Sequence, residues 1–344
     1  MKITWRSPSN LALIKYWGKY GRQLPKNASI SFTLQNAYSE TSLSYEEKED
    51  DGKIDLTFLF EQKENEAFKA KIVKFLGSIV EYFPFLTAYR LHIESHNSFP
   101  HSAGIASSAS SMSALALCLC SMERQVAITL PNEELFYRKA SDIARLGSGS
   151  ASRSIYPHLA VWGATELVKN SSNEYAIPFG EEVHEVFKSF HDDILMVSKR
   201  EKSVSSTAGH ALMEDNPFAE IRYQQAHNNL DKLLVALKNG DLTTFGNITE
   251  QEALQLHALM MTSEPSYILM EGNSIELIKR VQAWRKATGN HLYFSLDAGP
   301  NLHLLYPDAI KEEVTAFIEQ DLLAFCEGQQ YLKDQVGLGP LKLT

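Results

Sequence analysis

Apolar and polar positions alternate in short runs along the first 45 residues, with turn residues between the runs, as in strands and hairpins. Two of these runs are ASISFTL at 28–34 and SETSLSY at 39–45. A charged turn at 47–53 precedes a third run, IDLTFLF. We therefore predict that the chain begins with several short strands.

The apolar spacing changes to three or four residues over NEAFKAKIVKFLGSIVEYF, which predicts an amphipathic helix. In the rest of the first half, the same criteria predict a strand at 90–99, a helix at 132–146 and a strand at 158–167. In the second half they predict helices at 217–239 and 274–288 and strands at 193–199, 291–297 and 301–307. A turn near 178–182 suggests a domain boundary. We predict an α+β protein with two lobes, residues 1–185 and 186–344.

Composition narrows the class of protein. The 344 residues are 44% hydrophobic and 22% charged, values typical of a soluble globular protein, and no apolar run is long enough for a membrane helix. Three cysteines without framework spacing, and the absence of a signal-peptide pattern, predict a cytoplasmic protein. The net charge of −9 argues against nucleic acid or an anionic membrane as partner, so cations for an anionic substrate must be local.

Small residues dominate 100–120, PHSAGIASSASSMSALALCLC, where a predicted strand leads into a helix. Such a loop lets backbone N–H groups converge on an anion, and the helix start adds a partial positive charge. No lysine follows the glycine, so this is not a GxxxxGK[ST] loop. A tightly packed helix of alanine and serine explains the segment equally well.

Three further segments carry candidate chemistry. In 9–34, Lys15 and Lys19 bracket two aromatic residues and a glycine, and on a strand or a helical turn both could reach one anion, although surface lysines are the common alternative. RLGSGSASRS at 145–154 suits a carboxylate or phosphate, unless it is merely a flexible loop. SLDAGPNLHLL at 295–305 places Asp297 at a strand end, as a candidate base or as a turn cap.

The loop at 100–120 resembles the ATP-phosphate loop of the GHMP kinase superfamily, which includes galactokinase, homoserine kinase, mevalonate kinase and phosphomevalonate kinase. This resemblance implies a two-lobed GHMP-kinase fold with a ribosomal-S5-like N-terminal lobe. It also implies that Gly104, Ser107 and Ser108 line the nucleotide phosphates.

The other segments, together with KSVSSTAGH at 202–210, resemble motifs of the mevalonate diphosphate decarboxylases and occur in that family's order from residue 7 to about 305. The resemblance implies that Lys15 approaches the reacting centre, that Arg153 grips the substrate carboxylate and that Asp297 faces the tertiary hydroxyl. The implied substrate-binding residues are Tyr16, Trp17, Gly18, Lys19, Ser148, Gly149, Ser150, Ala151, Ser152, Arg153 and Thr207, and Ser205 and Ser206 are implied near the nucleotide.

Three positions depart from the family pattern. Ser152 replaces the usual cysteine, and His210 stands where methionine is usual. Ala67 occupies the position of a basic residue that often helps to hold the diphosphate, and Lys63, Lys69 and Lys71 are the nearby candidates to replace it.

The implied activity is ATP-dependent decarboxylation of mevalonate 5-diphosphate to isopentenyl diphosphate. We expect Mg²⁺ to be held chiefly by the nucleotide and not by a protein metal site. The sequence does not fix the oligomeric state, and a homodimer is the default expectation. Alternatives are a decarboxylase of mevalonate 5-phosphate, a mevalonate 3-kinase and an inactive nucleotide sensor. Superfamily kinases usually place a catalytic aspartate in the segment that corresponds to 145–162, which contains no acid here, and this favours the decarboxylase.

Overall fold

The computed structural model describes residues 1–100, 105–127, 129–200 and 203–344. The helices of the first half are α1 (Glu66–Ser78), α2 (Ser107–Val126) and α3 (Glu133–Gly147). Its strands are β1 (Lys2–Ile14), β2 (Lys19–Tyr20), β3 (Leu24–Pro25), β4 (Ser29–Glu47), β5 (Asp55–Phe60), β6 (Lys63–Glu64), β7 (Tyr89–Asn97), β8 (Leu159–Trp162) and β9 (Ala176–Pro178). Short 3₁₀ segments cover Pro84–Ala88, Gly149–Ile155, Gly180–Glu182 and Glu185–Phe187.

The second half contains the helices α4 (Ser206–Ala211), α5 (Ala219–Asn239), α6 (Leu242–Met261), α7 (Gly272–Thr288) and α8 (Lys311–Phe317). Its strands are β10 (His191–Leu195), β11 (Tyr293–Ser295), β12 (Leu302–Tyr306), β13 (Tyr331–Leu332) and β14 (Leu341–Lys342). Among the helices of the described ranges, none is long and apolar enough to cross a lipid bilayer.

The first sheet has the strand order β14-β1-β4-β7-β5-β6, with β8 pairing β4 and β9 pairing β8. Its β4 is one strand of 19 residues, where the sequence predicted two. The polar residues Gln35 and Asn36 looked like a break, but both backbone N–H groups donate to one carboxylate oxygen of Asp334 at 2.8 Å. Because Asp334 satisfies these donors, the chain stays extended through them.

Helix α2 packs on the first sheet through its small residues. Hydroxyl pairs cross the contact, from Ser7 to Ser113 at 2.5 Å and from Ser39 to Ser110 at 2.7 Å, and all four side chains are buried. The face of α2 with Ser107 and Ser108 borders a cleft instead. An anion-binding loop and a tightly packed helix of small residues are therefore compatible interpretations of this segment, since one face packs on the sheet and another borders the cleft.

The second sheet has the order β11-β12-β10-β13 and packs against α6. The sequence analysis did not predict α6. Asp241 caps it by accepting the N–H of Thr244, and Phe245 and Met260 lie buried on its apolar face. Two buried polar residues, Glu252 and His257, interrupt the apolar spacing, and for this reason the pattern did not predict the helix.

A buried ion pair joins α5 to α6 and fixes the end of β1. Arg222 and Glu252 meet at 2.5 Å, with 3% and 0% of their side chains exposed. Glu252 also accepts the backbone N–H of Lys15 at 2.9 Å, and Arg222 donates to the Lys15 carbonyl at 3.4 Å. Thus the main chain of Lys15 is held on both sides by one pair of charges.

Replacing Glu252 by glutamine should lower the free energy of unfolding by about 3–5 kcal/mol, because it leaves the Arg222 guanidinium buried without its anion. Urea denaturation followed by circular dichroism measures the effect. The matched control is Glu276→Gln, which breaks the half-exposed helical pair with Arg280 and should change stability by less than about 0.5 kcal/mol. Equal effects of the two substitutions would contradict the proposed anchoring.

Candidate active site

A cleft of about 500 Å³ opens between the first sheet with α2 and the elements of the second half. It brings together most of the predicted site residues, although they are up to 282 positions apart. Those that line it are Lys15, Tyr16, Trp17, Lys19, Ser107, Ser108, Ser148, Gly149, Ser150, Arg153, Ser205, Ser206, Thr207 and Asp297. Gly104 lies outside the described residues.

Three predicted residues support the walls of the cleft and do not line it. Ala151 is fully buried in the core beneath α2 and α3. The hydroxyl of Ser152 donates to the carbonyl of Gly149 at 2.8 Å, which holds the 3₁₀ turn in place. Gly18 has a left-handed φ of +103°, and a Cβ there would collide with the ring of Tyr223, so only glycine suits this position.

Lys15 and Asp297 form an ion pair at the centre of the cleft. The Lys15 Nζ donates to Asp297 Oδ1 at 2.9 Å and to Ser295 Oγ at 3.0 Å, and only 2% of the lysine side chain is exposed. Burial opposes ionisation of Asp297, but the charges of Lys15, His303 and Arg153 together bring its pKa below the ordinary value. Asp297 is therefore an ionised carboxylate that faces the cleft.

The geometric reason predicted for the two lysines is wrong. Strand β1 ends at Ile14 and residues 15–18 have no regular structure, so Lys15 and Lys19 do not share a strand face or a helical turn. Both nevertheless reach the cleft. The Lys19 Nζ donates to Gln23 Oε1 at 2.8 Å, and partial burial lowers its pKa.

Arg153 is a buried cation whose partners are neutral. Its guanidinium donates to the hydroxyls of Ser31 and Ser29 and, at 3.4 Å, to the amide oxygen of Asn10. Burial lowers its pKa to about 10, so it stays charged at neutral pH. Within the described ranges it has no carboxylate within ion-pair distance, and it borders the cleft. A cation in this position favours a bound anion.

Tyr16 and Trp17 present buried donors to the same cleft. The Tyr16 ring packs edge-on against Trp162 with centroids 4.7 Å apart, a contact that the missing side chain of Gly149 permits. Burial raises the pKa of Tyr16, so its hydroxyl keeps its proton. The Tyr16 hydroxyl and the Trp17 indole N–H have no hydrogen-bond partner among the described residues. Both could donate to a polar ligand.

His210 fills the methionine position and ties α4 to the loop after β1. Its Nδ1 accepts the backbone N–H of Gly18 at 3.0 Å, and its ring lies 4.4 Å from that of Tyr16 and 4.6 Å from that of Trp17. Because a backbone N–H can only donate, Nδ1 carries the lone pair.

Helix α2 begins at Ser107, directly after Ala106 with a left-handed φ of +46°. Among the described residues, no side chain caps this helix start, and Ser107 and Ser108 of its first turn border the cleft. The hydroxyls of Ser108 and Ser148 lie 3.2 Å apart and join the two loops of small residues. The two predicted anion-binding loops therefore form one continuous surface.

Sequence reasoning missed much of the remaining lining. An apolar part of the cleft is built by α1, β5, β7 and α2, from Phe58, Phe60, Phe68, Ile72, Ile93, Met112 and Leu115. Ordinary strand and helix patterns give no signal for such a wall. Asn10 lies inside a motif that was considered, but its link to Arg153 depends on contacts across the fold. Of the three candidate lysines, Lys71 lines the cleft, whereas Lys69 pairs with Glu66 at 3.7 Å.

Comparison with known proteins identifies the family. Residues 7–173 match the diphosphomevalonate decarboxylase-like N-terminal domain, and residues 193–338 match the mevalonate 5-diphosphate decarboxylase C-terminal domain. The diphosphomevalonate decarboxylase of Ganoderma lucidum is 29% identical over 98% of this chain and 85% of its own length. The diphosphomevalonate decarboxylase of Debaryomyces hansenii is 29% identical over 91% of this chain and 81% of its own length.

Solved structures agree. The mevalonate diphosphate decarboxylase from Staphylococcus aureus aligns over 100% of this chain and 98% of its own, with 28% identity and a TM-score of 0.83. A structure described as MDDEF in complex with MVAPP, AMPPCP and magnesium aligns over 100% of this chain and 99% of its own, with 27% identity and a TM-score of 0.82. The predicted α+β GHMP-kinase fold is confirmed. The chain belongs to the diphosphomevalonate decarboxylase family.

Proposed function

We propose that the protein catalyses the ATP-dependent decarboxylation of mevalonate 5-diphosphate to isopentenyl diphosphate, with release of ADP, phosphate and carbon dioxide. The observation that carries this proposal is Arg153, a buried cation with neutral partners beside the Lys15–Asp297 pair. A substrate carboxylate would supply its missing anion. The names of the relatives and the ligands of MDDEF support the same reaction.

The nucleotide would occupy the side of the cleft nearest α2. Its phosphates would meet the start of α2 with Ser107 and Ser108. Gly104, which lies outside the described residues, is proposed as a further contact of these phosphates. Ser205 and Ser206 line the cleft across from them. The adenine base would pack in the apolar part, against Phe58 and its neighbours.

Magnesium fits this site as a cation carried by the nucleotide. The described residues contain no group of three His, Cys, Asp or Glu side chains that could hold a metal ion. Around the cleft the donors are hydroxyls, among them Ser107 and Ser148, and Mg²⁺ commonly binds through phosphates while keeping several waters. When bound, Mg²⁺ would neutralise charge on the phosphates.

The substrate would lie across the polar part of the cleft. Its diphosphate would contact Lys19, Thr207 and the donors of Tyr16 and Trp17, with Lys71 replacing the basic residue absent at Ala67. Its carboxylate would bind Arg153 and the loop that contains Ser148, Gly149 and Ser150. Two anchored ends would hold the tertiary hydroxyl against Asp297.

In the reaction, the oxygen of the tertiary hydroxyl takes the γ-phosphoryl group of ATP, and Asp297 accepts the proton of that hydroxyl. Lys15 stabilises the charge that develops during the transfer. The carbon–oxygen bond to phosphate then breaks while the carboxylate departs as carbon dioxide. The electron pair of the broken carbon–carbon bond becomes the double bond of isopentenyl diphosphate. Atoms and charges balance without an oxidant or reductant.

The proposal includes a division into two lobes, residues 1–185 and 186–344, and assembly as a homodimer. The family-domain matches end at residue 173 and resume at 193, which supports the division. The last strand, β14, pairs with β1, so the end of the chain returns to the first sheet.

A coupled assay should detect ADP and trapped carbon dioxide in equal amounts with mevalonate 5-diphosphate as substrate. Mevalonate and mevalonate 5-phosphate are the comparison substrates in the same assay. ADP without carbon dioxide would instead indicate a kinase, and carbon dioxide from the monophosphate alone would indicate the other decarboxylase. No substrate-dependent ADP release would refute catalysis altogether.

Asp297→Asn should lower kcat by about 10²- to 10⁴-fold with little change in substrate affinity, because the amide keeps the shape of the side chain but cannot accept the proton. Steady-state kinetics and isothermal titration calorimetry measure the two effects. Asp308→Asn changes an exposed aspartate outside the cleft and is the control. Unchanged turnover in Asp297→Asn would remove that residue from its role.

Arg153→Gln should abolish most of the stabilisation that the substrate gives to the fold. A ligand at 100 times its Kd stabilises a protein by about 2.7 kcal/mol, which raises its Tm. The rise in Tm should nearly disappear when the cation is lost. Thermal unfolding with and without mevalonate 5-diphosphate tests this, with Arg280→Gln on the surface as the control. A full Tm rise in Arg153→Gln would show that Arg153 does not bind the substrate.

A further inference from the structure

The second sheet carries a buried histidine that the proposed reaction does not use. His303, on β12, is 2% exposed, and its Nδ1 lies 2.6 Å from Oδ1 of Asp192 on the neighbouring strand β10. Asp192 is itself fully buried. The pair lies in the second sheet, whose β11 leads into Asp297.

The strand register places His303 on the same sheet face as Ser295, which binds Lys15. His303 is opposite Ser295 in the antiparallel pairing of β11 and β12, and residues directly opposite each other project from the same face. The Ser295 hydroxyl accepts a hydrogen bond from Lys15. His303 therefore shares the sheet face on which Lys15 meets Asp297.

The surroundings of Asp192 require a cation. One of its carboxylate oxygens accepts from His303, and the other has no hydrogen-bond partner within the described part of the chain. A buried carboxylate is costly unless a positive group compensates it. Burial disfavours a charged His303, but Asp192 and Asp297 together raise its pKa above the ordinary value. The two carboxylates therefore favour the imidazolium form of this ring.

The other charged groups around this pair are accounted for. Beyond Asp192 lie Asp193, which accepts from the Tyr306 hydroxyl, and Asp334, which accepts the backbone N–H groups of residues 35–37. The charge of Lys15 opposes protonation of His303, and the carboxylates of Asp192 and Asp297 outweigh it.

The groups around Asp297 are Lys15 from the loop after β1, Arg153 from the 3₁₀ segment, His303 from β12 and His257 from α6. His257 donates Nε2–H to the backbone carbonyl of Asp297 at 3.0 Å. Burial lowers the pKa of His257 to about 4, so that ring is neutral. His303 is thus the histidine whose charge acts on Asp297, and it is not among the residues that line the cleft.

We infer that His303 and Asp192 form a positioning pair for the reaction, in which the imidazolium holds Asp297 as an ionised carboxylate in line with Lys15. The charges then alternate along Asp192, His303, Asp297 and Lys15. His303 acts through Asp297 and does not touch substrate. This inference rests on the proposed function, since it assigns a role in that reaction.

The pH profile of kcat/KM tests the pair, because a purely structural histidine would not move it. In His303→Gln the positive charge is gone, so the pKa of Asp297 rises and the acid limb of the profile should shift upward by about one pH unit. Asp192→Asn should shift the limb in the same direction, since His303 loses the anion that keeps it protonated. The double variant should show little more than either single shift.

The matched control is His191→Gln. His191 is another buried histidine. It lies on β10, pairs with Asp308 at 2.8 Å and is not among the residues that line the cleft. Its removal should leave the acid limb unchanged. If the limb stays in place in both His303→Gln and Asp192→Asn while the variants remain active, the inference is wrong.

A second measurement covers the case in which these variants do not fold. In wild-type protein with ¹⁵N-labelled histidine, one ring should keep both nitrogens protonated at pH 7.5, and the same signal should persist in His191→Gln. Its absence would overturn the pair. Failure of wild-type protein to release ADP and carbon dioxide would instead reject the proposed function, and the NMR result would still report on the charge of His303.

Discussion

The ion pair between Lys15 and Asp297 is the contact on which the site depends, because it joins two loops from opposite ends of the sequence. A lysine with 2% of its side chain exposed needs an anion, and Asp297 supplies it at 2.9 Å. Both partners are also fixed through their main chains. Glu252 accepts the Lys15 N–H, and His257 donates to the Asp297 carbonyl. One helix, α6, thus carries both anchors and sets the separation of the two loops.

The charge of the cleft is opposite to that of the whole protein. The chain carries a net charge of −9, yet Lys15, Lys19, Lys71 and Arg153 all line the cleft, where Asp297 is the acidic member of the described lining. Arg153 is the extreme case, since neutral hydroxyls and an amide hold it in place and no carboxylate of the described residues forms an ion pair with it. An arrangement of this kind is less stable than an apolar one when empty, and an anionic ligand relieves it.

The sequence predicted the elements with regular patterns and the residues inside compact motifs, and it failed where distant groups decide the outcome. Strand β4 continues through Gln35 and Asn36 because Asp334, some 300 positions away, satisfies their N–H groups. Helix α6 escaped prediction because Glu252 and His257 are buried polar residues with partners on other elements. Lys15 and Lys19 both line the cleft, but they do not share the strand face or helical turn that was predicted for them. Local periodicity contains none of these long-range contacts.

In the proposed reaction, in which Asp297 accepts the proton of the tertiary hydroxyl, a lowered pKa suits the chemistry better than that of a strong base would. Phosphoryl transfer passes through a loose transition state in which the attacking oxygen has formed little new bond, so the hydroxyl needs orientation more than early deprotonation. A carboxylate that stays ionised always presents an acceptor, and it takes the proton once transfer has made the hydroxyl acidic. The charges of Lys15 and His303 both favour the ionised form of Asp297, and the hydrogen bond from Lys15 also fixes where that acceptor points. Ionisation and orientation of the base therefore have the same physical cause.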